Sequence, residues 1–276
     1  MYESSGLTRL NSFTSGAEGP AVDNDGNLYA VNYSKEGTIG KITPTGDASI
    51  FIELTNGSIG NGIRFNSKGE MLIADYTNHN ILKVDMVSKQ ISVYAHDSMM
   101  NQPNDIAIDS KDRLYASDPN WKAGTGRIWR INTNGTTTLL EDSMGTTNGI
   151  EVSPDEKILY VNESVQRKVW AYDLSASGAI SNKRLLISFL DFGMDGMRCD
   201  VDGNLYVARY GKGSVAKVSP QGKLLKEITL LGKNPSNIAF GGPDGRTAYV
   251  TLQDHGNVES FRVEAPGREW KKIKTN

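Results

Sequence analysis

Apolar residues in this chain come in short runs separated by polar turns, and no long window carries the 3.6-residue period of a helix. One unit recurs: a small polar residue, a short apolar strand, a turn, a second strand rich in Leu, Tyr, Val and Ala, then a polar loop and a third strand. The second strands read Leu28-Tyr29-Ala30-Val31, Met71-Leu72-Ile73-Ala74-Asp75, Leu114-Tyr115-Ala116-Ser117-Asp118, Ile158-Leu159-Tyr160-Val161, Leu205-Tyr206-Val207-Ala208 and Ala248-Tyr249-Val250-Thr251. The six copies open at Glu18, Asn61, Asn104, Asn148, Asp195 and Ser236, with spacings of 43, 43, 44, 47 and 41 residues. A period of about 40–45 residues made of short strands is that of a β-propeller blade. The expected fold is therefore all-β: a six-bladed β-propeller of four-stranded antiparallel blades, with residues 1–276 forming a single domain. Outer fourth strands are expected at Ile91–Tyr94, Thr136–Leu140 and Leu224–Thr229.

The sixth copy lacks a fourth strand of its own. The segment Leu7-Thr8-Arg9-Leu10-Asn11-Ser12-Phe13 has strand character and no blade, so an N-terminal strand is expected to complete the sixth blade and close the ring. The C-terminal segment Trp270–Lys274 is the alternative.

Composition narrows the function classes. A net charge of −2 and a pI near 6.0 give no reason to expect nucleic acid or an anionic membrane as partner. No run approaches the ~20 apolar residues that cross a bilayer, and the N-terminus has neither a basic nor an apolar leader segment. The one cysteine, Cys199, allows no intrachain disulfide and fits a reducing, cytoplasmic setting. It lies in an apolar run and reads as a structural thiol.

In a propeller, equivalent positions of successive blades ring the central axis. Every first position here carries a side-chain oxygen, and two of the six are carboxylates. Carboxylates crowded among carboxamides repel one another or titrate abnormally unless a cation sits with them. Oxygen donors without His or Cys suit a hard divalent ion, calcium first, with magnesium, manganese or zinc as alternatives. Asn and Asp also favour turns, which accounts for Asn61 and Ser236 but not for Glu18. The four copies with look-alike openings, at Glu18, Asn104, Asn148 and Asp195, are expected to bring their oxygens together on the axis as the metal ligands. A second column, at the ends of the second strands, reads Asn32, Asp75, Asp118, Glu163, Arg209 and Leu252, followed by residues such as Tyr33, Trp121 and Tyr210. It is expected to wall a polar, aromatic-sided pocket for a small polyhydroxylated or ester-like ligand. His79 and His255 fall in the same loops.

Glu18-Gly19-Pro20, Pro103-Asn104-Asp105, Asn148-Gly149-Ile150, Asp195-Gly196-Met197 and Phe240-Gly241-Gly242 with Tyr249-Val250-Thr251 resemble the senescence marker protein, gluconolactonase and regucalcin family. The resemblance covers nearly the whole chain. It implies a six-bladed propeller with one divalent cation held at positions matching Glu18, Asn148 and Asp195, and with Asn104 in direct or water-mediated contact. It also implies hydrolysis of sugar lactones. Diisopropylfluorophosphatase and the paraoxonases are similar in architecture and ligand set. The second calcium of the paraoxonases is not expected here, because Gly19 stands where they carry an acid. Vertebrate-type members have an Arg two residues before the blade-three Asn, where it contacts the sugar. This chain has Gln102, which keeps hydrogen bonding but loses the charge and the fork geometry.

The expected activity is metal-dependent opening of a small lactone. The cation acts as Lewis acid and Asp195 as general base toward a water. Gln102, Asp118, Trp121 and Tyr210 are the expected substrate contacts. Covalent catalysis is disfavoured, since no nucleophile–base pairing is evident. The alternatives are phosphotriester hydrolysis at the same metal and a non-catalytic calcium-binding propeller.

Overall fold

The computed structural model describes residues 1–270, whose regular elements are 24 strands in six four-stranded antiparallel sheets. These are the blades of a six-bladed β-propeller. No helix among the described residues is long and apolar enough to cross a membrane.

Contacts divide the chain into two compact units of three blades each. The first unit comprises Met1–Glu53 and the residues from Asp195 on. It holds blade one (Phe13–Val22, Leu28–Tyr33, Thr38–Ile42, Ala48–Glu53), blade five (Met197–Cys199, Leu205–Arg209, Ser214–Val218, Leu224–Thr229) and blade six (Pro235–Gly241, Thr247–Leu252, Asn257–Arg262). The second unit, Leu54–Met194, holds blades two, three and four, whose inner strands are Gly60–Phe65, Ile106–Ile108 and Thr147–Val152. The outer strands of blades two and three run Ile91–His96 and Thr137–Met144, and that of blade five is the expected Leu224–Thr229.

Second strands are buried at nearly every position, because adjacent blades cover both faces of each sheet. The core accordingly lies between neighbouring blades. Leu72, Ile106 and Trp129 join blades two and three, Ala107, Ile150 and Tyr172 join three and four, and Phe13, Leu28 and Ala239 join six and one. Outer strands keep only a narrow buried seam, as in Ile91–His96.

An N-terminal strand does complete blade six, but it is Ser5–Gly6, paired with Ser260 and Glu259. The expected segment, Leu7–Phe13, divides instead. Leu7 N and Thr8 N both donate to Val258 O and prolong the edge, whereas Phe13 opens the inner strand of blade one. Phe13 is drawn there by the Tyr33 ring, which it meets edge-on at 5.3 Å. Of the alternative closing segment, which starts at Trp270, residues 271–274 lie outside the described residues.

At the turn between inner and second strands a further column appears. Asp23 Oδ1 accepts the backbone N–H groups of Asp25 and Asn27. Asn66, Asp109 and Asp200 do the same for the residues two and four places on. Each lies five residues after a first position, so a side-chain-capped turn follows the first position at the same distance in these four blades.

Candidate functional site

First positions sit where the inner ladder is irregular. The pairing register shifts between Gly60 and Ile63, between Thr147 and Ile150, and between Pro235 and Asn237. It shifts on both sides of Glu18. A bulge of this kind re-aims the side chain it carries. In blades three and five the ladder begins just after the first position, yet Asn104 N and Asp195 N still donate to Ser117 O and Ala208 O at 2.9 Å. The start of each inner strand is therefore held beside the end of its second strand.

Within the first unit, Glu18 is 5% exposed. Its Oε2 accepts the Nδ2–H of Asn237 at 3.0 Å and the Gly19 backbone N–H. Asn237 is fully buried and oriented by the Ile238 N–H on its Oδ1, 2.9 Å away. A Cβ on Gly196 would lie 2.0 Å from Asn237 Oδ1. The glycine after Asp195 thus makes room for the donor that steadies Glu18. Asp195 itself is partly exposed. Burial pushes the Tyr210 hydroxyl pKa upward, and the Asp195 and Asp254 carboxylates push in the same direction. Tyr210 donates to Gln253 Oε1 at 3.1 Å. Ser236 is satisfied locally, donating to Ala17 O at 2.6 Å and sharing a hydrogen bond with Thr251 Oγ1.

Within the second unit, Asn104 and Asn148 are 8% and 3% exposed, and the Oδ1 atom of each is buried without a hydrogen-bond partner among the described residues. A buried carbonyl oxygen left without a donor costs roughly 1–3 kcal/mol, so two on adjacent blades point to a ligand that supplies positive charge. Asn61 Oδ1 is in the same condition, although Asn61 was not expected among the ligands. Beneath these residues Arg64 Nη1 lies 3.7 Å from Asp105 Oδ1, and Arg64 Nη2 lies 3.7 Å from Glu151 Oε2. All three side chains are buried. The pairing ties the strands that carry Asn61, Asn104 and Asn148.

The column at the second-strand ends is committed largely to its own blades rather than to an open wall. Asn32 donates to Gly16 O and accepts Gly37 N–H. Asp75 accepts from Ser58, Thr77 and Asn80. Glu163 accepts Gly145 N–H, and Arg209 pairs with Glu227 at 3.5 Å. Asp118 receives Asn101 N–H at 2.8 Å, Gln102 N–H at 2.6 Å and Trp129 Nε1–H at 2.9 Å. It therefore fixes the loop that presents Gln102. Trp121 is 44% exposed at the tip of the same blade.

Taken unit by unit, the buried Glu18 carboxylate of the first and the two unpartnered amide oxygens of the second are each donors that suit a hard cation. Among the described residues no three His, Cys, Asp or Glu side chains gather as a metal-holding group, and the expected set contains only two carboxylates. Sequence reasoning missed Asn237 and Gly196, one place beyond the first positions. It also missed Asn101 and Trp129, whose link to Asp118 is tertiary.

The described geometry has counterparts in known proteins. A gluconolactonase of Zymomonas mobilis subsp. mobilis is 27% identical over 292 residues, covering 91% of this chain and 79% of its own. The diisopropyl-fluorophosphatase of Loligo vulgaris is 26% identical, covering 95% of this chain and 94% of its own. The crystal structure of a calcium-binding protein, regucalcin, from Agrobacterium tumefaciens superposes with a TM-score of 0.82, covering 95% of each chain at 23% identity, a likeness of fold. The family model of the SMP-30/gluconolactonase/LRE-like region matches residues 16–254, and the chain belongs to that family.

Proposed function

We propose that this protein is a sugar lactone hydrolase that depends on one divalent cation, calcium by first choice, held by Glu18, Asn104, Asn148 and Asp195. The observation that carries the reading is the pair of buried, unpartnered Oδ1 atoms on Asn104 and Asn148, within a family whose members include gluconolactonases. Two of the proposed ligands come from each unit, so the reading treats the chain as one working domain. When bound, the cation would polarise the lactone carbonyl and stabilise negative charge on its oxygen.

The chain's own groups divide the remaining work. Glu18, steadied by Asn237 and Gly19, supplies a fixed carboxylate. Asn104 and Asn148 add neutral oxygens. Asp195 takes the proton of the attacking water as general base. The ring C–O bond then breaks, the leaving oxygen takes the proton back from Asp195, and the product is the open hydroxy acid. Tyr210, beside Asp195, and Gln102, fixed through Asp118, would hold substrate hydroxyls, and the exposed Trp121 ring would offer an apolar face. Asp195→Ala is expected to abolish both lactone turnover and calcium binding, read by a pH-indicator assay and by calorimetric titration. Retained turnover by this variant sinks the mechanism.

The likeness to diisopropyl-fluorophosphatase over nearly the full chain favours one second reading, hydrolysis of a phosphotriester or fluorophosphate at the same residues. A lactone panel run against a fluorophosphate separates the two.

A further inference from the structure

Beside the segments that lead to Asn104 and Asn148, the second unit contains a cavity of about 310 Å³ whose lining includes His79, Asn101, Asp118, Asn120, Thr125 and Arg127. Its position relative to the proposed site follows from the chain. Asp118 accepts the N–H of Gln102, two residues before Asn104. The Asp118 N–H donates to Thr147 Oγ1 at 3.2 Å, one residue before Asn148. Gly126, also in the lining, sits against the same threonine, and a Cβ there would lie 2.4 Å from Thr147 Oγ1.

The cavity has an excess of donors. Asp118 contributes the one carboxylate among these six residues, and its oxygens are taken by Asn101 N–H, Gln102 N–H and Trp129 Nε1–H. The Arg127 side chain makes a single hydrogen bond among the described residues, from Nη1 to Met99 O at 2.6 Å, which leaves most of its guanidinium N–H groups for a ligand. His79 enters from the neighbouring blade in a left-handed conformation, φ 59°, and its Nδ1 is buried without a hydrogen-bond partner among the described residues. A guanidinium, an imidazole and amide and hydroxyl donors around a carboxylate already satisfied make a setting for an anion with several oxygens.

We propose that this cavity is an anion subsite, and that the substrate is a sugar lactone carrying a phosphate or sulfonate group away from the reacting carbonyl. The substrate class rests on the lactonase reading; anion binding by the cavity does not. Arg127 and His79 hold the anion while the lactone carbonyl lies toward Asn104 and Asn148. The subsite also supplies the positive charge that Gln102 does not.

The test is calorimetric titration of the calcium-loaded protein with 6-phosphogluconate, 6-deoxy-6-sulfogluconate and gluconate. These open-chain acids bind without turnover, so the result is independent of whether any lactone is hydrolysed. One or both substituted acids are expected to bind at least about tenfold more tightly than gluconate, and the tighter one identifies the group. In Arg127→Met that advantage is expected to collapse to within about twofold, while gluconate affinity reports that the site remains folded. Equal affinity for all three acids in the wild-type protein overturns the proposal, as does an advantage that survives in Arg127→Met.

Discussion

Gly196 and Asn237 form the contact on which the proposed cation site depends most locally. The Asn237 side chain fills the space that a Cβ at Gly196 would occupy, and it donates to Glu18 Oε2 from there. Gly196→Ala is therefore expected to displace Asn237, remove a donor from the buried carboxylate and weaken calcium binding by about tenfold. Titration of calcium into the variant checks this; unchanged affinity would show that Asn237 does not orient Glu18. The first positions themselves were legible in the sequence because a blade repeat turns one ambiguous Asn or Asp into a column. Their partners were less so. Asn237 lies one step along the same column and could have been found there. The buried partners of Asp118 were not legible, because nothing near it in the sequence reveals that Asn101 N–H and Trp129 Nε1–H converge on it.

At the level of elements, the closing strand is the instructive case. The run Leu7–Phe13 has the stronger strand character, yet the Asn257–Arg262 edge recruits Ser5–Gly6. Pairing with an exposed edge is a main-chain interaction, and two small residues serve it as well as apolar ones. Tyr2 reinforces the attachment. Its N–H donates to Arg262 O, and its ring and hydroxyl receive Lys217, whose Nζ lies 3.1 Å from the hydroxyl and 5.8 Å from the ring centre. Removing residues 1–8 is expected to lower the melting temperature by at least about 5 °C, a loss of more than 1 kcal/mol for a chain of this size. An unchanged melting temperature would mean that the edge strand does not hold blade six.

For the molecule as a whole, the fold was readable from the repeat spacing, since a period near 43 residues built of short strands and polar turns leaves few other architectures. The chemistry was readable only as far as the oxygen column. The proposed ligands are spread over four blades and form no local motif, and the proposed subsite beside Arg127 is assembled only by tertiary structure. The central claim, a cation-dependent lactonase, is tested most directly by acid release from glucono-δ-lactone, measured above the spontaneous rate with and without a chelator. The account predicts turnover that the chelator abolishes and added calcium restores. Turnover that continues undiminished in the chelator would contradict it.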